Sequence, residues 1–131
     1  MNWLSFDLTA TYCNGWPKLK FNIDDDLYQE FEFSNDTAQI KIPLELLEGH
    51  HQLWIELYDK NDSNTKVEND IIIQDQLVTL KSISIDNVPL PEFILYRGIY
   101  QVDHNEYPQI LTWGKNGKWI LNFESPMIDW I

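Results

Sequence analysis

Apolar and polar side chains alternate with a period of two along most of this chain, the mark of strands that bury one face and expose the other. Leu4, Phe6, Leu8 and Ala10 alternate with Ser5, Asp7 and Thr9, and Leu19, Phe21 and Ile23 with Lys18, Lys20 and Asn22. Ala38, Ile40 and Ile42 alternate with Gln39 and Lys41, and Leu53, Ile55 and Leu57 with Gln52, Trp54, Glu56 and Tyr58. Asp24-Asp25-Asp26 reads as a turn and Leu27 to Phe33 as the strand returning from it. Ile71 to Ile73 and Leu77 to Ile85 read as further strands, with a bulge at Gln74-Asp75. Short strands at this spacing, divided by polar turns, predict an all-β fold: an antiparallel two-sheet jelly-roll β-sandwich. The one helical candidate is Pro43 to Gly49, with Pro at its start and Gly at its end, long enough only for a connection.

The pattern changes at Asn87-Val88-Pro89-Leu90-Pro91, because two prolines in three residues do not sit in a central strand. This predicts a sandwich module over 1–88 and a β-rich extension over 89–131, with short strands near Ile94–Tyr96 and Gly98–Val102. Leu111-Thr112-Trp113 and Lys118 to Leu121 flank Gly114-Lys115-Asn116-Gly117, and Asn-Gly favours a tight hairpin turn. Trp119, Leu121 and Phe123 would share one face of that hairpin. A lone hairpin is marginal in water, so the face needs a cover. The expectation is a hairpin packed on its own sandwich or on a neighbouring subunit, with the apolar stretch from Pro126 to Ile131 reaching a neighbour. Trp119, Phe123 and Trp130 are then the candidate partner anchors.

Charge narrows the partners. Nine basic residues stand against 21 acidic ones, a net charge of −12 in 131 residues. That balance disfavours nucleic acid and anionic membrane surfaces, and favours cations or basic surfaces. Cys13 is the single cysteine, so no disulfide forms within the chain. The first residues have no basic region followed by an apolar run, and no run approaches the ~20 apolar residues of a membrane span, so neither a signal peptide nor a transmembrane helix is expected.

Two constellations suggest binding. The loop from Asp59 to Asp70 is rich in oxygen ligands, and Ca²⁺ takes about six to eight of them. Asp59, Asn61, Asp62, Glu68 and Asp70 are its candidate ligands, set against the plainer reading of a solvated loop of turn formers. Trp54 and Tyr58 lie on the polar side of a cleanly alternating strand, and Trp16 sits in a Gly-Trp-Pro turn. Flat rings beside carboxylates and amides suit a sugar-binding surface, as rings stack on C–H faces and polar groups bond hydroxyls. The competing reading is that residues 92–131 cover this face and make Trp54 and Tyr58 a second packing layer. Catalysis has little support. Cys13 has no histidine near it in sequence, His50 and His51 would point to opposite faces of a strand, and His104 sits in a polar loop.

Two resemblances add to this. Thr9 to Asp24, with Gly15-Trp16-Pro17-Lys18-Leu19, resembles the opening of calcium-dependent xylan-binding-type carbohydrate-binding modules. Gly49 to Asp62 and Glu68-Asn69-Asp70-Ile71 are similar to their strand and calcium-loop segment, although the arginine of that pattern is missing and a longer insertion follows Ile71. The resemblance implies a small jelly roll, a polysaccharide ligand and Ca²⁺ as cofactor. The whole chain also resembles small proteins of T-even-like tailed phages, through Gly117, Trp119, Phe123, Pro126 and Trp130. That implies a non-enzymatic virion component, an adaptor, decoration or tail-fibre element, with other virion proteins as partners. The reading is therefore an interaction protein of a phage particle, with a calcium-dependent carbohydrate-binding module as the alternative.

Overall fold

A computed structural model of the chain describes residues 2–125; Trp130 and the expected trans-docking segment 126–131 lie outside them. The alternation is realised as two antiparallel sheets. The first contains β1 (Asn2–Ala10), β4 (Thr37–Leu44), β8 (Val78–Ile85) and the short β12 (Thr112–Trp113), in the order β12-β8-β1-β4, with β9 (Val88–Pro89) also paired to β8. The second contains β2 (Lys18–Ile23), β3 (Asp26–Glu32), β5 (Gly49–Tyr58), β10 (Ile99–Val102), β11 (Asn105–Pro108) and β13 (Gly117–Ser125), in the order β11-β10-β13-β5-β2-β3. The apolar half of each alternating run faces the space between the sheets: Leu4, Phe6 and Leu8 from one, Leu19, Phe21, Leu53, Ile55, Trp119 and Leu121 from the other. Phe6 and Phe21 meet across the gap with ring centroids 5.0 Å apart. Each such side chain contributes roughly 1.5–3 kcal/mol on full burial.

The turns follow from short acidic and amide residues that tolerate positive φ. Asp24-Asp25 between β2 and β3 and Asp86-Asn87 between β8 and β9 both take φ values between 50° and 68°. So does Asn69-Asp70, which joins β6 (Thr65–Glu68) to β7 (Ile71–Asp75). Two successive residues in this region make the hairpin turn whose twist matches that of the strands.

Three sequence expectations are corrected. Pro43 to Gly49 does not form a helix: β4 runs on through Leu44, and residues 45–48 are irregular. β4 is the edge of its sheet, where a proline without an N–H is tolerated. The strand expected near Ile94–Tyr96 is a single helical turn, α1 (Glu92–Leu95), entered from Pro91 and burying Ile94 and Leu95. Leu111 to Leu121 is not a hairpin. β12 pairs with β8 in the first sheet, β13 pairs with β5 and β10 in the second, and residues 114–116 carry the chain from one sheet to the other. Trp113 thereby stacks on Tyr100, with centroids 5.5 Å apart at 5°, and leans on Trp119 at 6.0 Å. Gly98 permits this, since a Cβ there would lie 2.3 Å from the Trp119 ring.

Residues beyond 88 thus extend both sheets edge to edge. β13 fills the slot between β5 and β10, with Gly117 opposite Leu57 and Ser125 opposite Gly49.

Candidate functional site

The outer face of the second sheet is a polar grid. One row reads Glu30, Lys20, Glu56, Lys118, Gln101 and Glu106 across successive strands, opposite charges alternating along its first four members. Trp54 and Tyr58 stand half-buried on this face. β13 joins the sheet beside them instead of lying over them as a second packing layer. Their rings carry ammonium groups: Lys118 Nζ lies 4.3 Å from the Trp54 ring centroid and Lys20 Nζ 4.4 Å from that of Tyr58. Lysine over an aromatic face is attractive.

At the end of β5 the chain leaves the sheet through Asp59, with φ at +61°, and two clefts open on either side of Tyr58 and Asp59. One, of about 210 Å³, brings Trp16, Lys18, Glu32 and Asn61 to that ridge. The other, of about 410 Å³, adds Glu56, Gln101, Asp103, Asn116 and Lys118. The wall of the smaller cleft is built from buried amides. Asn64 donates to Cys13 O (2.9 Å) and Asn14 O (3.2 Å) and accepts from Asn61 N (2.9 Å); Gln76 donates to Gly15 O (3.2 Å). These bonds tie the Gly-Trp-Pro turn to the loop after β5 and fix Trp16, whose ring meets Tyr12 edge-on at 5.3 Å. Burial, together with the carboxylates of Glu30, Asp59, Glu32 and Glu56, raises the Tyr58 phenol, which keeps its proton as a hydrogen-bond donor at neutral pH.

Of the residues singled out in sequence, Trp16, Tyr58, Asp59 and Asn61 therefore meet in one cleft, and Trp54 lies elsewhere on the sheet face. Sequence reading missed Lys18, Glu32, Asn64 and Gln76. Lys18 and Glu32 carry no signal beyond their place on polar strand faces; Asn64 and Gln76 look like any loop amide until their burial is seen.

The proposed calcium ligands do not gather. Asn61 caps a 3₁₀ turn (Asp62–Asn64), accepting from Ser63 N at 3.0 Å; Asp62 lies exposed in that turn. Asp59 pairs with Lys18 at 3.8 Å. Glu68 and Asp70 sit at the exposed tip of the β6–β7 hairpin, because part of the expected loop pairs with Ile71–Asp75 as a strand. Among the described residues no three His, Cys, Asp or Glu side chains are grouped to hold an ion, so the residues present do not fit the calcium site implied by the resemblance. Trp119 and Phe123 are 0% and 4% exposed, inside the sandwich, and their rings present nothing to a partner. Cys13 is buried with its thiol 3.9 Å from Ser63 O, while His50 and His51 lie at the far end of β5.

No protein-family model and no curated protein sequence matches the chain. Two solved structures are similar to it. One is vCBM60 in complex with galactobiose, 7% identical, with 92% of this chain and 98% of that one aligned at a TM-score of 0.63. The other is a selenomethionine form of vCBM60, described in connection with a circular permutation linking two families of calcium-dependent carbohydrate-binding modules; it is 8% identical, covers 92% of this chain and 90% of that one, and has a TM-score of 0.64. At this identity the likeness is one of fold: the chain has the antiparallel β-sandwich of these carbohydrate-binding modules.

Proposed function

We propose that this protein is a non-catalytic module that binds an uncharged polysaccharide along the groove centred on Tyr58 and Asp59. The observation that carries this reading is the convergence of Trp16, Tyr58, Asp59 and Asn61 in one cleft, from two parts of the chain far apart in sequence. Trp16 and the face of Tyr58 opposite Lys20 offer ring surface for C–H faces, and Asp59, Asn61 and the protonated phenol bond hydroxyls. The second cleft continues past Tyr58 and Asp59, which suits a chain longer than one sugar. Glu32, Glu56, Asp59 and Asp103 outnumber Lys18 and Lys118 along the groove, so uronate polymers are repelled and neutral ones are not. The complex of the structural neighbour with galactobiose, a neutral disaccharide, supports the same class of ligand.

Calorimetric titration with neutral and uronate-containing oligosaccharides tests this. Neutral oligomers should bind, and Trp16→Ala or Tyr58→Ala should weaken binding roughly tenfold. Trp54→Ala should matter less. A neutral-glycan panel that gives no binding, or binding indifferent to both cleft substitutions, overturns the proposal.

A further inference from the structure

One structural neighbour is described in connection with calcium-dependent carbohydrate-binding modules, and the clefts here are walled by loops. The carboxylates of the 59–70 segment do not converge on an ion. The buried ammonium at that end of the sandwich is that of Lys60. Its ammonium donates to Asp75 Oδ1 at 2.6 Å, to Gln76 O at 2.9 Å and to Gly114 O. Three N–H donors meet three oxygens, so the ammonium is saturated, and the side chain is only 7% exposed. One carboxylate and two backbone carbonyls are the kind of oxygen set that a hard cation takes.

The cage is reinforced from outside. Asp75 Oδ1 also accepts from Thr65 Oγ1 at 2.7 Å and from Gln76 N at 2.9 Å. Burial acts to raise the Asp75 carboxyl, but the bonds from Lys60 and Thr65 outweigh it and leave the group below its ordinary value, ionised against the ammonium. The Lys60 backbone is clasped as well, its N–H donating to Asn116 Oδ1 at 3.0 Å and its carbonyl accepting from Asn116 Nδ2 at 2.8 Å. Three separate segments are joined: the loop leaving β5, the β7–β8 junction and the β12–β13 crossing. The same segments supply Asn61, Asn64 and Gln76 to one cleft and Asn116 and Gly117 to the other.

We infer that Lys60 is a built-in cation: its ammonium fills an oxygen cage that orders the cleft walls without a metal ion, and the cage becomes a site for a small free cation when the amine is removed. A charge tethered to the chain needs no ion recruited from solution, and one ammonium against one carboxylate leaves the buried pair neutral. The inference concerns the stability of this end of the molecule and stands or falls apart from glycan binding.

Thermal unfolding of the full chain tests it. The wild-type melting temperature should be the same in EDTA and in millimolar calcium chloride. Lys60→Ala should melt roughly 10 °C or more lower, with faster exchange of the Gln76 amide, which donates to both Asp75 and Asn64 O. Ethylammonium or calcium should recover part of that loss by mass action, and tetramethylammonium, with no N–H to donate, should recover none. Lys60→Met, which keeps the apolar stem, is the second variant. If neither variant folds alone, folding in ethylammonium becomes the measurement: recovery supports the cage and its absence overturns it. Three other results overturn the inference: calcium stabilisation of the wild type, wild-type melting and Gln76 exchange in both variants, or a destabilisation that no cation relieves.

Discussion

The two ends of β5 each carry a buried basic group, held in the same manner by different chemistry. Past its last residue, Lys60 grips one carboxylate and two backbone carbonyls. Near its first, His51 lies between Asp24 Oδ2, 2.7 Å from Nδ1, and Leu47 O, 2.6 Å from Nε2. Both ring nitrogens face acceptors, a pattern that only the imidazolium satisfies. Burial works against that charge, but the bonds to Asp24 and Leu47 and the nearby carboxylates outweigh it and raise the His51 pKa. For Asp24, burial acts upward and is outweighed by His51 and the Gln52 N–H, which leaves it lowered. An imidazolium loses its charge within the physiological range. One design therefore gives a lysine clamp at the cleft end and a titrating histidine clamp at the other.

The largest effect is expected at the lysine end. Asp75→Ala strands a buried ammonium, removes the acceptor for Thr65 Oγ1 and one of two acceptors for the Gln76 N–H, and should cost about 3–5 kcal/mol in urea unfolding. A loss below about 1 kcal/mol would mean the ammonium is satisfied by carbonyls alone, and the two ends would no longer be comparable. Neither clamp is visible in the alternation. His51 reads as an inward position on a strand and Lys60 as one more loop charge, because what defines each is the set of acceptors brought from elsewhere.

His51→Gln comes next, with a loss of about 1–2 kcal/mol near pH 6. Its value lies in the sign. With the folded pKa raised, the stability contributed by His51 is fully present below its unfolded pKa of about 6.5 and fades as pH rises through the folded value. Asp24, lowered in the fold, contributes above its unfolded pKa of about 3.9 and loses that contribution as pH falls through the folded value. Melting temperature against pH should thus peak between these limits and fall on the alkaline side, and the substitution should flatten the alkaline fall. A wild-type melting temperature that climbs from about pH 6 to 8 would show the ring to be neutral in the fold.

The smallest effect is expected from Glu124→Gln. Glu124 bonds His50 at 3.0 Å and, as the leading cause, raises its pKa, but the pair is exposed and salt-screened. The melting temperature should stay within measurement error. A drop comparable to that of His51→Gln would move the titrating clamp from the inner histidine to the outer one.

Much of the fold was legible because strand character is local. Phe6, Phe21, Ile55 and Leu121 announce their inward direction through their immediate neighbours, and Asp24-Asp25 and Asp86-Asn87 mark hairpin turns through their tolerance of positive φ. Asn116-Gly117 carried an equally good hairpin signal and misled, because Trp113 gains more by stacking on Tyr100 from the opposite sheet than a two-stranded ribbon would offer. The Asp59–Asp70 stretch misled in the other direction. Its oxygen-rich composition matched a calcium loop, while Thr65–Glu68 had Ile71–Asp75 as a partner strand.

What the sequence determined by itself is therefore which face each strand turns inward and where several of the turns lie. Both are settled by a side chain and the two or three residues around it. What only the tertiary structure decided is who neighbours whom. Backbone hydrogen bonds carry no residue label, so alternation could not place β13 between β5 and β10 or put Trp16 in a cleft with Tyr58. Nor could it show that the ammonium of Lys60 meets oxygens 15, 16 and 54 residues away. The candidate glycan cleft and the cation cage both belong to that second class.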